Sequence, residues 1–289
     1  MTGAARLGAF VIAAVLTVAG CSAGPNSGHH APPVTATYWD RSRLLGALPF
    51  TGGRTGVLAP RKLGNSHLAA PLAGLRVGAL FVRAASHDHF CTASVVASPG
   101  KDLLITAAHC INGGKGSAGG RSDIAFIPDY RDGQAPFGVW TPARLLVPPQ
   151  WADSSSPDYD VGFVVLEPRD GQNIQQVLGA NRLGAGQGDQ YLVHVTGYPS
   201  SSSAPVTCVN RTSRFTDTQL RFECPGYTGG TSGSPWVTRF SHWSRTGTIV
   251  GVIGGYQGGG DTPSVSYSVR FGPAIQHLYR EAKAESIRG

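Results

Sequence analysis

The sequence predicts an all-β fold: two six-stranded antiparallel barrels followed by a C-terminal helix. Three observations lead there. Short runs rich in Val, Ile, Leu, Phe and Thr recur at near-regular intervals, bounded by Gly, Pro, Asn, Asp and Ser, as strands and tight turns do. The runs fall into two groups of six, parted by a Gly-, Asn- and Gln-rich stretch from Gly171 to Gln190. Composition agrees: 40 glycines and one methionine in 289 residues, with 14% charged residues, suit a turn-rich β protein better than a helical one.

The first group covers 77–83, 89–96, 102–106, 123–127, 138–147 and 161–166, a barrel over about 73–170. The second covers 191–198, 205–214, 218–224, 233–238, 248–256 and 265–270, a barrel over about 185–272. After Pro273, Ile275, Leu278, Tyr279 and Ala282 fall on one stripe of a helix that starts at proline. This helix, 273–288, is expected to pack on the second barrel.

The N-terminus reads as an export signal over residues 1–20. Arg6 is followed by an almost unbroken apolar run from Leu7 to Gly20, too short to span a bilayer comfortably. Its ending, Val18-Ala19-Gly20-Cys21, resembles the bacterial lipobox, which implies lipidation of Cys21 and a chain exported to the outer face of the cell membrane, or secreted after processing. Residues 21–72 are rich in Pro, Gly, Ser and Ala without a sustained period and read as a tether, with a propeptide-like piece around Tyr38 to Phe50. The net charge is +7, much of it from Arg41, Arg43, Arg54, Arg61, Lys62, Arg76 and Arg83. Such a stretch beside an anchor would favour an anionic surface, or simply be a solvated linker. Basic and aromatic residues do not interleave, so no nucleic-acid partner is expected.

Apart from Cys21, the cysteines are Cys91, Cys110, Cys208 and Cys224, an even number that in an exported chain implies disulfides. Their order suggests Cys91–Cys110 and Cys208–Cys224. His87-Asp88-His89 has the alternation of a metal pair but lacks an evident third ligand, so neither metal nor cofactor is expected.

Three local patterns carry chemistry. In Leu104-Ile105-Thr106-Ala107-Ala108-His109-Cys110 a strand ends in small residues that let an imidazole sit close to the barrel. In Asp158-Tyr159-Asp160-Val161-Gly162-Phe163 an acid stands at the mouth of a buried strand, where a carboxylate needs a donor such as an imidazole N–H. Asp160 directly abuts the apolar run and is preferred; Asp158 is the alternative. In Gly229-Gly230-Thr231-Ser232-Gly233-Ser234-Pro235 flanking glycines permit a tight turn that exposes Ser232, with the N–H groups of Gly230 and Ser232 placed to form an oxyanion hole.

Taken in the order His, Asp, Ser, these patterns resemble the chymotrypsin/trypsin-like serine peptidases, an order distinct from subtilisins and α/β-hydrolases. The resemblance spans roughly residue 77 to the C-terminus and guides in part the count of six strands per barrel. Ser232-Gly233-Ser234-Pro235 is similar to the bacterial glutamyl-endopeptidase-like branch, and Cys91 and Cys110 match the disulfide that brackets the family's histidine. The resemblance implies a monomeric serine endopeptidase acting on proteins or peptides, with Ser232 as nucleophile, His109 as general base and Asp160 holding the imidazole. A catalytically inactive envelope-binding protein and an esterase on the same triad are the alternatives.

The chain departs from the family at Thr231, where many relatives carry Asp, and at Gly254, the nearest equivalent of a Ser beside the triad acid. The substrate pocket is expected to be lined by Gly226, Tyr227, Ile253, Gly254, Gly255 and Tyr256. Trypsin-branch enzymes carry an Asp six residues before the nucleophile; Gly226 stands there, which implies no preference for Arg or Lys.

Overall fold

The computed structural model describes residues 1, 29–30, 38–50, 67–68, 74–83, 87–117, 121–184 and 188–288. Cys21, the apolar run before it and most of the expected tether lie outside the described residues. The two groups of short apolar runs form strands: β1 Val77–Val82, β2 His89–Val95, β3 Leu103–Thr106, β4 Ile124–Pro128, β5 Pro142–Leu146 and β6 Gly162–Leu166, then β7 Leu192–Gly197, β8 Val206–Arg214, β9 Gln219–Glu223, β10 Pro235–Ser241, β11 Thr246–Val252 and β12 Val265–Val269.

Leaving aside two-residue strands at their edges, the first sheet runs β5-β6-β3-β2-β1-β4, and the second β11-β10-β7-β8-β9-β12. Each curls onto itself. In the first, Phe126 of β4 and Trp140, just ahead of β5, exchange backbone hydrogen bonds of 2.8 and 2.9 Å. In the second, the Gly254 N–H beyond β11 donates to the Tyr267 carbonyl of β12 at 3.0 Å. Read round each ring, both barrels have the same order, first-second-third-sixth-fifth-fourth. Closure leaves few unpaired edges.

The two-residue period of a strand sorts the side chains. Leu80 and Val82 of β1 point into the first barrel with Leu104, Phe126, Trp140 and Val164. Ala79 and Phe81 point outward, yet are buried, because Trp39 and Leu44 of the N-terminal segment cover them together with Tyr130 and Tyr198. Val195, Phe222, Tyr227, Trp236 and Ile253 fill the second barrel. Between the barrels, Ile105, Phe163 and Val165 meet Val252 and Phe271.

The C-terminal helix, Pro273–Arg288, forms as expected but not where expected. It packs mainly on β3, β5 and β6 of the first barrel. Phe163 and Val165 point out of that barrel, and the Ile275, Leu278 and Ala282 stripe covers them. Tyr279 stacks on Phe163 with ring centroids 5.5 Å apart, and Ser286 bonds to Asp102 and accepts from the Gly100 N–H. The Gly171–Gln190 stretch also contains a short helix, Ile174–Leu178, whose Asn173 and Gln176 form a capping box.

Candidate active site

The register of two neighbouring strands brings the histidine and the acid together. In the antiparallel β3–β6 pair, Thr106 lies opposite Gly162, so the end of β3 and the start of β6 share one rim of the barrel. His109 follows Thr106 by three residues, in the one-turn helix Ala108–Ile111. Asp160 precedes Gly162 by two, after the 3₁₀ turn Pro157–Tyr159. Ala107 and Ala108 are wholly buried, and no larger side chain comes between the ring and the barrel there.

Asp160 is buried and its carboxylate is met by three donors. Oδ2 lies 2.7 Å from His109 Nδ1 and accepts from the Gly255 N–H at 2.8 Å, while Oδ1 accepts from the His109 backbone N–H at 2.9 Å. Burial by itself pushes this carboxyl up. The His109 charge, its ring hydrogen bond and the two backbone N–H groups outweigh burial, so the pKa lies below the usual carboxylate value. Asp158 faces elsewhere and accepts from Thr218 and Gln219, each at 2.8 Å. Of the two acids, Asp160 contacts His109.

At Gly254, expected from the resemblance to be the nearest equivalent of a family serine, a Cβ would lie 3.0 Å from Asp160 Oδ2. The donor that Asp160 receives from this segment is instead the next N–H, that of Gly255. A backbone amide carries no side-chain signal, so residue-type reasoning missed it.

The Gly230–Ser234 turn is clamped to β2. The Thr92 N–H donates to the Ser232 carbonyl at 2.7 Å, and Thr92 Oγ1 donates to the Gly230 carbonyl at 3.0 Å. Thr106 Oγ1 donates in turn to the Thr92 carbonyl at 2.8 Å. A Cβ on Gly233 would fall 2.2 Å from Thr106 Oγ1 and 3.2 Å from the Ala107 nitrogen, so the turn lies directly against the chain leading to His109. Thr231 is buried, and its hydroxyl donates to the Thr228 carbonyl at 2.7 Å, which closes the turn without a charge. His109 Nε2 is buried and has no hydrogen-bond partner among the described residues, Ser232 included; Ser232 itself, expected to be exposed, is buried with the turn that packs on β2. Both expected disulfides are present; Cys91–Cys110 ties β2 to the helical turn that carries His109.

The expected pocket is only partly assembled. Tyr227 and Ile253 are fully buried in the second barrel's core, and Tyr227 Oη donates to the Val195 carbonyl at 2.8 Å. Apolar burial claims both side chains before a substrate can. Gly254 and Gly255 are buried beside Asp160 and Gln219, whereas Gly226 is half-buried and Tyr256 exposed. Asp88 of the His87-Asp88-His89 pattern is engaged by Tyr38 and Arg43.

No protein-family model and no curated protein matches the sequence. Solved structures do match. The protease Anisep from Arthrobacter nicotinovorans is 26% identical, with a TM-score of 0.68 over 76% of this chain and 100% of that one. The thermostable serine protease AL20 from an extremophilic microorganism is also 26% identical, with a TM-score of 0.67 over 74% of this chain and 99% of that one. A Glu endopeptidase in complex with MPD shares the fold at 15% identity, with a TM-score of 0.62 over 78% of this chain and 100% of that one. The fold is that of the chymotrypsin-like serine proteases.

Proposed function

We propose that this chain is a serine endopeptidase with His109, Asp160 and Ser232 as its triad. The observation that carries the reading is the buried Asp160 carboxylate held 2.7 Å from His109 Nδ1, with Nε2 left without a partner. In the proposed reaction Ser232 Oγ attacks the scissile carbonyl carbon and its proton passes to His109 Nε2. The carbonyl oxygen takes the negative charge against the N–H groups of Gly230 and Ser232. Collapse breaks the C–N bond, and the proton on Nε2 goes to the leaving amine. Water then repeats the sequence on the acyl-enzyme and restores Ser232. Asp160 keeps Nδ1 protonated throughout and stabilises the imidazolium.

The residue before the cut is proposed to be small or medium and apolar. No acidic residue occurs from Pro225 to Thr231. A cationic side chain buried there without a partner would cost several kcal/mol. Prolonged exposure to a fluorophosphonate probe should label Ser232 in the wild type and leave Ser232→Ala and His109→Ala unlabelled. Labelling of Ser232→Ala at the wild-type rate would overturn the assignment. Fluorogenic peptides differing only in the residue before the cut should favour Ala, Val or Leu; a marked preference for Arg, Lys or Glu would place the pocket elsewhere.

Export and lipid attachment at Cys21 are proposed from the apolar run that ends in Val-Ala-Gly-Cys. Cys21→Ser should release the protein from membranes or leave it unprocessed. Wild-type protein found unlipidated in the medium would count against the anchor.

A further inference from the structure

We infer that the chain carries its own plug: residues Leu48 to Phe50 occupy the proposed active site and hold it closed until they are displaced. The inference rests on the serine-peptidase reading and adds a regulatory contact to it. The tip of the N-terminal segment runs as a short parallel strand, Leu48–Pro49, along the start of β2, with Leu48 opposite His89 and Pro49 opposite Phe90. The Leu48 N–H donates to the Asp88 carbonyl at 2.7 Å and the Phe50 N–H to the Phe90 carbonyl at 2.9 Å.

Phe50 then meets two parts of the proposed machinery at once. Its carbonyl oxygen accepts from the Gly230 N–H at 3.1 Å. Its ring stacks on the His109 imidazole, with centroids 5.0 Å apart and planes inclined by 21°. The Arg121 guanidinium lies 5.0 Å from the centre of the same ring and donates to the His109 carbonyl at 3.2 Å, and His89 meets the ring edge-on. In acyl transfer the Gly230 N–H must receive the oxygen of the scissile carbonyl, and His109 must be free to take and return a proton. A substrate carbonyl therefore competes with the Phe50 carbonyl for one donor, and the leaving group competes with the phenyl ring for the space over the imidazole.

The anchor of this segment is separate from its tip. Trp39 and Leu44 are buried against the outer face of β1. Trp39 Nε1 donates to the Asp123 carbonyl at 3.0 Å, and Tyr38 and Arg43 both bond to Asp88. Asp40 caps the short helix Arg41–Gly46 by accepting from the Arg43 N–H. Phe50 itself is only half-buried. The tip can thus lift away while Trp39 and Leu44 stay docked, and substitutions at Phe50 leave the anchor intact.

A plug docked in nine-tenths to ninety-nine hundredths of molecules slows access by about 10- to 100-fold, because only the open fraction reacts. Full-length protein, Phe50→Ala and Phe50→Tyr should be compared for the rate at which a fluorophosphonate labels Ser232. Phe50→Ala should label at least about tenfold faster than wild type, and Phe50→Tyr, which keeps the ring, should remain slow. In a Ser232→Ala background, the His109 ring protons should shift by NMR on Phe50→Ala, since the stacked phenyl is lost. Equal labelling rates in all three proteins would overturn the plug and leave the peptidase reading standing. A folded Phe50→Ala protein that never labels would overturn both. A new N-terminus at Thr51 in the wild type but not in Ser232→Ala would overturn the plug by showing Phe50 to be a cleaved substrate residue.

Discussion

Asp160→Asn should lower turnover by about 10⁴-fold while leaving both barrels folded. The reason lies in the three donors that converge on the carboxylate: the His109 ring at Nδ1, the His109 backbone N–H and the Gly255 N–H. An asparagine can turn its oxygen towards the His109 backbone, but its amide then faces Nδ1 and the Gly255 N–H. Nδ1 must become an acceptor, which moves the ring proton to Nε2 and removes the base that Ser232 needs. Asp158→Asn is the matched control and should stay within a few-fold of wild type, because the Asp158 side chain bonds only to Thr218 and Gln219 among the described residues. A dead Asp158→Asn beside an active Asp160→Asn would show that Asp158, not Asp160, is the acid His109 depends on. Melting temperature against pH gives an independent reading. The folded pKa of Asp160 lies below the ordinary carboxylate value. The ionised group therefore stabilises the fold above the unfolded-state pKa, and this contribution is lost as pH falls through the lower folded value. Asp160→Asn should lack that part of the acid slope.

Gly233→Ala should destabilise the protein by about 2–4 kcal/mol and sharply slow fluorophosphonate labelling. Gly233 has φ +84°, in the left-handed region, and a Cβ there would sit 2.0 Å from the Thr92 carbonyl oxygen and 2.2 Å from Thr106 Oγ1. Neither obstacle is the free end of a long side chain. The Thr92 carbonyl is held by the Thr106 hydroxyl, and the Thr92 N–H is bonded to the Ser232 carbonyl. Relief of the clash must move the serine turn away from β2, and Ser232 moves with it. Gly171→Ala separates strain from clash: its φ is +73°, yet nothing lies within 4 Å of a Cβ at that position. It should cost only about 1–2 kcal/mol, the price of the backbone conformation itself. Denaturant unfolding of the two variants checks this, and equal losses would show that the turn is not wedged against β2 in the way described.

The strands and the histidine and serine turns were legible in the linear chain, because each depends on neighbours a few residues apart; the disulfide pairing, across 19 and 16 residues, was legible from cysteine order. Short apolar runs between turn residues, with the family resemblance guiding in part the count of six per barrel, place all twelve barrel strands to within a few residues, except at the start of the fifth and the end of the eleventh. The long-range partners were not legible. The adjoining apolar run favours Asp160 over Asp158, two residues earlier, but the contact itself comes from the Thr106–Gly162 register, which aims Asp160 at His109. The Gly255 amide that supports Asp160 is 95 residues away in sequence and has no side chain to betray it. Tyr227 and Ile253 look like pocket residues by position, but the core of the second barrel takes them, since burying an aromatic or branched apolar side chain is worth about 1.5–3 kcal/mol. The C-terminal stripe states that the helix has a partner, not which one, because two barrels each offer an apolar outer face. Phe50 is the extreme case: a single aromatic 11 residues after Trp39 gives no periodic signal, and its place over His109 follows only from the docking of Trp39 and Leu44 on the outside of β1.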